Sequence, residues 1–234
     1  MNHSVLEKIR GKVLVSCQGT AENGNPFYLP EHMVLMARAA AAGGCAGFRV
    51  NTPPNIKAVR AEFPHMPIIG IYKIVEDGSE VYITPNMAAV EELVSLGCEI
   101  IAMDGTNRKN AGGLYAWEFI AETKKKYPDQ CVMADLATLE EARLCAGAGA
   151  DILATTMVGY TEESREYRTA VNYDLVRRMR EEFPERFIIV EGKLWTVEDA
   201  QKAFDSGADA VVIGTAITNP MGITRRFVTS VGKQ

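Results

Sequence analysis

Eight short runs of mostly aliphatic residues recur along this chain at intervals averaging about 28 residues, with a stretch of helical apolar spacing between each pair. The runs end at Gln18, Arg49, Lys73, Asp104, Asp135, Thr155, Glu191 and Gly214. No two of them are joined by a hairpin turn signal, so the strands they form must run parallel with helices as crossovers. Equal units, eight in number, fit a sheet closed on itself better than an open sheet. The turns Ala42-Gly43-Gly44-Cys45-Ala46, Leu96-Gly97-Cys98-Glu99, Ala148-Gly149-Ala150-Asp151 and Ser206-Gly207-Ala208-Asp209 each put a glycine where a helix must stop and a strand begin. The expectation is an α/β protein, a (β/α)8 barrel with a short N-terminal helix from about Val5 to Gly11. With 234 residues and 47% apolar composition, residues 1–234 suffice for one such domain.

The remaining composition excludes several partners. A net charge of -5 with Lys124-Lys125-Lys126 as the basic run gives no surface for nucleic acid or for a membrane, and no stretch approaches eighteen apolar residues. A soluble, cytoplasmic protein is expected. The five cysteines lack Cys-x-x-Cys spacing and read as buried reduced thiols. None of His3, His32 and His65 falls at a strand end, which argues against a histidine acid/base or a histidine metal site.

In a parallel barrel the strand C-termini form one rim, where active sites lie. Gln18, Arg49, Lys73, Asp135 and Glu191 would be collected there, a concentration of charge in which pKa values are readily perturbed. Proton transfer would then fall to Lys73 and Glu191, because a partly desolvated lysine can lose its proton near neutrality and act as a base or a Schiff-base nucleophile. Asp104 stays open, since Arg108 and Lys109 follow closely enough for a local ion pair. Gly192, Gly214 and Thr215, at neighbouring strand tips, leave backbone N–H groups for an anion beside the acid.

Taken in order, Ser16-Cys17-Gln18, Gly47-Phe48-Arg49, Gly70-Ile71-Tyr72-Lys73, Met133-Ala134-Asp135, Gly149-Ala150-Asp151, the stretch Thr155-Thr156-Met157-Val158-Gly159-Tyr160-Thr161 and Glu191-Gly192-Lys193 resemble the N-acylglucosamine-6-phosphate 2-epimerases of sialic-acid catabolism. The resemblance runs over nearly the whole chain. It implies a TIM barrel working without metal or cofactor on a phosphorylated N-acetylhexosamine, interconverting N-acetylmannosamine 6-phosphate and N-acetylglucosamine 6-phosphate. By the same match Lys73 is the acid/base at the carbon bearing the acetamido group, and Glu191 its partner. Gln18, Arg49 and Asp135 would bind the sugar, and the backbone at Gly192, Gly214 and Thr215 the phosphate.

Two departures matter. The family has arginine after Ala-Ile-Thr where this chain has Asn219, so Lys193, Arg225 or Arg226 would have to supply the cation. Gly105 stands where alanine is usual. A Schiff-base aldolase or lyase of a phosphorylated sugar, and a non-catalytic phosphosugar-binding protein, are the other functions these residues allow. The oligomeric state is open, a homodimer included.

Overall fold

Side chains on successive strand residues point to opposite faces, and in this chain both faces are apolar, which creates two separate cores. The computed structural model describes residues 3–19, 21 and 24–231. Its strands are β1 (Lys12–Cys17), β2 (Phe48–Asn51), β3 (Ile68–Ile71), β4 (Ile100–Asp104), β5 (Cys131–Asp135), β6 (Ile152–Ala154), β7 (Phe187–Glu191) and β8 (Ala210–Ile213), all parallel and closed in sequence order from β1 round to β8. Leu14, Ile69, Ile71, Ile100, Met133, Ile189 and Val212 fill the inside. Their neighbours Val15, Val50, Ile101, Val132, Ile188 and Val211 face outward into a second core with the helices. This is the TIM barrel expected.

The helices are α1 (His3–Ile9), α2 (Pro30–Ala42), α3 (Pro53–Glu62), α4 (Met87–Ser95), α5 (Ala116–Lys126), α6 (Leu139–Gly147), α7 (Tyr173–Glu182), α8 (Val197–Asp205), α9 (Thr215–Thr218) and α10 (Pro220–Val231). Local chemistry sets several starts. Thr138 with Glu141, and Thr196 with Asp199, form reciprocal capping boxes at α6 and α8, and Asn86 caps α4. Val5 and Ile9 of α1 join the inner core at the end where the strands begin. At Gly105 an added Cβ would lie 2.7 Å from Leu136 Cδ2, so glycine suits this packing and alanine would require Leu136 to move.

The glycine turns that precede the strands carry a second device. Asp151 Oδ2 accepts from the Val132 backbone N–H at 2.9 Å and from Lys124 Nζ at 3.0 Å. Asp209 does the same for the Ile188 N–H at 2.8 Å and for Arg180, and Glu99 for the Ile68 N–H at 2.9 Å and Arg60 at 2.6 Å. Each acid thus ties a strand start to the preceding helix. Asp151→Ala strands a buried N–H and a lysine together, and is expected to cost about 2–3 kcal/mol, read as a lower urea midpoint at unchanged m-value. Asp174→Ala, which removes an exposed pair with Arg177, should change stability by less than about 0.5 kcal/mol.

Three boundaries differ from the sequence reading. β3 ends at Ile71, and Lys73 follows it in an isolated bridge with Ile83. β6 ends at Ala154, because Thr155–Met157 turns at once into a 3₁₀ segment. Beyond Asn219 the chain forms α10, a helix the sequence reading did not assign. Phe227, Val228 and Val231 on it are 64%, 65% and 76% exposed. Between α2 and β1, on the outer wall, lies an apolar groove of about 740 Å³ lined by Val13, Val15, Leu35, Met36, Ala39 and Ile217. No described helix is long and apolar enough to cross a membrane.

Candidate active site

The parity that fills the barrel also builds the site, since inward positions at the strand ends continue every second residue. Gln18 follows Ser16, Lys73 follows Ile71, and Glu191 follows Ile189. These side chains, with Arg49, Gly192, Gly214 and Thr215, line one cavity of about 640 Å³ at the C-terminal rim. Seven of the eight residues singled out in the sequence therefore meet in one place. The eighth, Asp135, is 0% exposed and is not among the residues that line it.

Arg49 is the centre of the wall. Its Nη1 and Nη2 donate to Asp135 Oδ1 and Oδ2 at 3.0 and 2.6 Å, a two-pronged pair, and Nη1 also donates to Glu191 Oε2 at 2.5 Å. Thr156 Oγ1 donates to Asp135 Oδ1 at 2.6 Å. Arg49 is 1% exposed, and among the described residues its Nε has no partner, which leaves one donor of a buried guanidinium for a ligand. Thr156 was missed in the sequence, although it stands two positions after Ala154 on the inward parity.

Burial raises the Glu191 carboxyl to about 7, with nearby Asp135 adding to the effect and Arg49 opposing it. The Lys73 ammonium is pushed the other way, below its ordinary value, by burial and by the Arg49 charge, against the pull of Glu191 and Asp135. An acid made weaker and a cation made more acidic in one cavity have their pKa values moved toward each other, the arrangement suited to proton transfer. Lys73 is also well placed structurally. Its backbone N–H donates to buried Asn51 Oδ1 at 3.0 Å, and adjacent Tyr72 is bonded through its N–H and its carbonyl to Thr84.

The anion end lies across β7 and β8. Gly192 and Lys193 take φ of 98° and 60°, and the second of these is a conformation that costs a non-glycine residue about 1–2 kcal/mol. Lys193 Nζ donates to the Val158 carbonyl and lies 4.0 Å from the Tyr160 ring centre, and burial lowers its pKa to about 8. Of the three cations proposed to replace an arginine at 219, Lys193 lines the cavity. Arg226 lies over the Trp195 ring at 4.4 Å, and neither it nor Arg225 is among the lining residues. Asn219 does line it, with Oδ1 accepting from the Gly222 N–H. Asp104 is taken up locally by Thr106 and Arg108.

A family model described as "Putative N-acetylmannosamine-6-phosphate epimerase" (NanE) matches residues 33–233. The chain belongs to the NanE family. A protein of Caldanaerobacter subterraneus subsp. tengcongensis named "Putative N-acetylmannosamine-6-phosphate 2-epimerase" is 42% identical over 98% of this chain and 94% of its own. One of the same name from Borrelia garinii subsp. bavariensis is 38% identical over 98% of each. Among solved structures, the N-acetylmannosamine-6-phosphate 2-epimerase from Clostridium perfringens superposes with a TM-score of 0.89 at 36% identity, covering 98% of this chain and 97% of that one. The NanE match covers β2 to β8, and so Arg49, Lys73, Asp135, Glu191 and the anion end.

Proposed function

We propose that this chain is an N-acetylmannosamine-6-phosphate 2-epimerase, which exchanges the proton on C2 between the two faces of that carbon. The observation that carries it is the lysine of lowered pKa beside the Arg49–Asp135–Glu191 network in the rim cavity. In the open-chain sugar, C2 is next to the C1 aldehyde, so its proton is acidic and its loss leaves a planar carbon that can be reprotonated from either face. Neutral Lys73 takes that proton. Arg49 stabilises the negative charge that develops on the sugar oxygens, and buried Asp135 holds Arg49 in place. Gln18, kept by a 2.7 Å bond to Ser16 Oγ, binds the sugar. Gly192, Gly214 and Thr215 hold the phosphate. Proton NMR in D2O with N-acetylmannosamine 6-phosphate tests the reading, which predicts deuterium at C2 and N-acetylglucosamine 6-phosphate as product. No exchange and no product would sink it.

The phosphate end has its own pH signature. Lys193 is cationic below about 8 and neutral above it, so it attracts a phosphate dianion only on the acid side. The ratio kcat/KM, which reports the free enzyme, should fall as pH rises through about 8, and Lys193→Arg should abolish that fall.

The outside of the barrel supports a homodimer. In this fold the helix after the eighth strand closes the outer ring against the helix after the first. Here the apolar groove on β1 and α2 occupies that place, while Phe227, Val228 and Val231 stay exposed along α10. Seating α10 of one copy in the groove of another would bury both, at about 1.5–3 kcal/mol per large side chain. Light scattering should give twice the mass of one chain, and the mass of a single chain would rule the arrangement out.

A further inference from the structure

Among the described residues, four basic side chains line the cavity, and three of them are engaged. Arg49 is bound to two carboxylates, Lys193 to a carbonyl, and Lys73 faces the Tyr82 ring at 6.0 Å. The fourth, Arg168, is exposed, and among the described residues no hydrogen bond or ion pair involves its guanidinium.

The loop between β6 and α7 is built so that Arg168 arrives at the rim. It turns at Gly159, with φ of 79°, and a Cβ added there would lie 2.6 Å from the Tyr167 carbonyl oxygen and 2.8 Å from Arg168 Cα. The returning strand of the loop therefore touches the turn itself, and only glycine permits the approach. Buried Ser164 Oγ accepts from the Gly159 N–H at 2.8 Å and is bonded to Thr161 Oγ1 at 2.9 Å. The 3₁₀ segment Glu162–Tyr167 ends with the Arg168 N–H on the Arg165 carbonyl at 3.1 Å. So the backbone of Arg168 is fixed, and its charged end is not.

Barrel order places this loop beside the one after β7, with Gly192 and Lys193, and that one beside the loop after β8, with Gly214, Thr215 and Asn219. A phosphoryl dianion there would meet one ammonium and an uncharged Asn219. We propose that Arg168 is the second cation for the phosphoryl group, reaching across the mouth from the β6–α7 loop, so that this loop decides phosphorylated against unphosphorylated substrate. The assignment rests on the reading of the substrate as a phosphorylated N-acetylhexosamine.

The test compares wild type, Arg168→Gln and Arg168→Lys with N-acetylmannosamine 6-phosphate and with N-acetylmannosamine, alongside calorimetric titration with inorganic phosphate. Arg168→Gln should raise KM for the phosphorylated sugar about 10- to 100-fold with kcat within about twofold, the loss expected for a charge-assisted bond, and should weaken phosphate binding. The unphosphorylated sugar should be unaffected, and Arg168→Lys should recover part of the loss. Because a guanidinium keeps its charge where Lys193 loses its own, the penalty should be larger at pH 9 than at pH 6.5. An unchanged KM with unchanged phosphate affinity overturns the proposal, as does an equal loss for both sugars. If the wild type turns over neither sugar, the epimerase reading fails, and the effect of Arg168→Gln on phosphate affinity still decides the role of Arg168.

Discussion

Lys73→Ala is expected to lower kcat by at least about 100-fold, the scale of a lost general base, while leaving the thermal midpoint within a few degrees of wild type. The fold should tolerate the change because Lys73 lies past the end of β3, its backbone N–H rather than its side chain bonds Asn51 Oδ1, and the bridge to Ile83 is held by the backbones of Tyr72 and Ile74. Catalysis should not. Burial and the Arg49 charge depress the Lys73 pKa, which raises the share of neutral amine at a given pH, and alanine has nothing to take its place. The decisive measurement is deuterium uptake at C2 in D2O, since it reports proton removal even if product release limits turnover. Uptake at the wild-type rate would remove Lys73 from the proton-transfer step.

The architecture and most of the site were legible because both depend on periodicity. Parity decides which strand residues face inward, and a polar residue ending an apolar run is visible without a structure, as at Lys73 and Glu191. Thr156 obeys the same parity and could have been found by it. Asp135 shows the limit. Its strand position is plain in the sequence, but whether a carboxylate lines the cavity depends on the path of Arg49 across the barrel. A buried guanidinium grips Asp135 with two prongs, whereas Asp104, level with Asp135 in the ladder, is claimed by Arg108. Arg168 carries no sequence signal at all, because what brings it to the rim is the contact of a returning loop with Gly159. The helix α10 went unassigned, and the apolar groove on the outer wall is made by the surfaces of β1 and α2 together.

Glu191→Gln preserves shape and hydrogen-bonding capacity but removes the charge, so it separates the electrostatic role of Glu191 from its structural one. The fold should survive, since Arg49 keeps its two bonds to Asp135 and is not left as an unpaired buried cation. Turnover should fall by about 100-fold or more with KM changed by less than about threefold, the pattern of an interaction made in the transition state rather than on binding. A second consequence follows from the coupling between the two groups. The carboxylate of Glu191 raises the Lys73 pKa, so removing it lets that pKa fall further. Residual activity in Glu191→Gln should therefore rise with pH earlier than in the wild type, and it should lack any limb near pH 7 that comes from the Glu191 carboxyl itself. A raised KM at wild-type kcat, with the pH profile unmoved, would make Glu191 a sugar-binding residue and leave Lys73 to work without it.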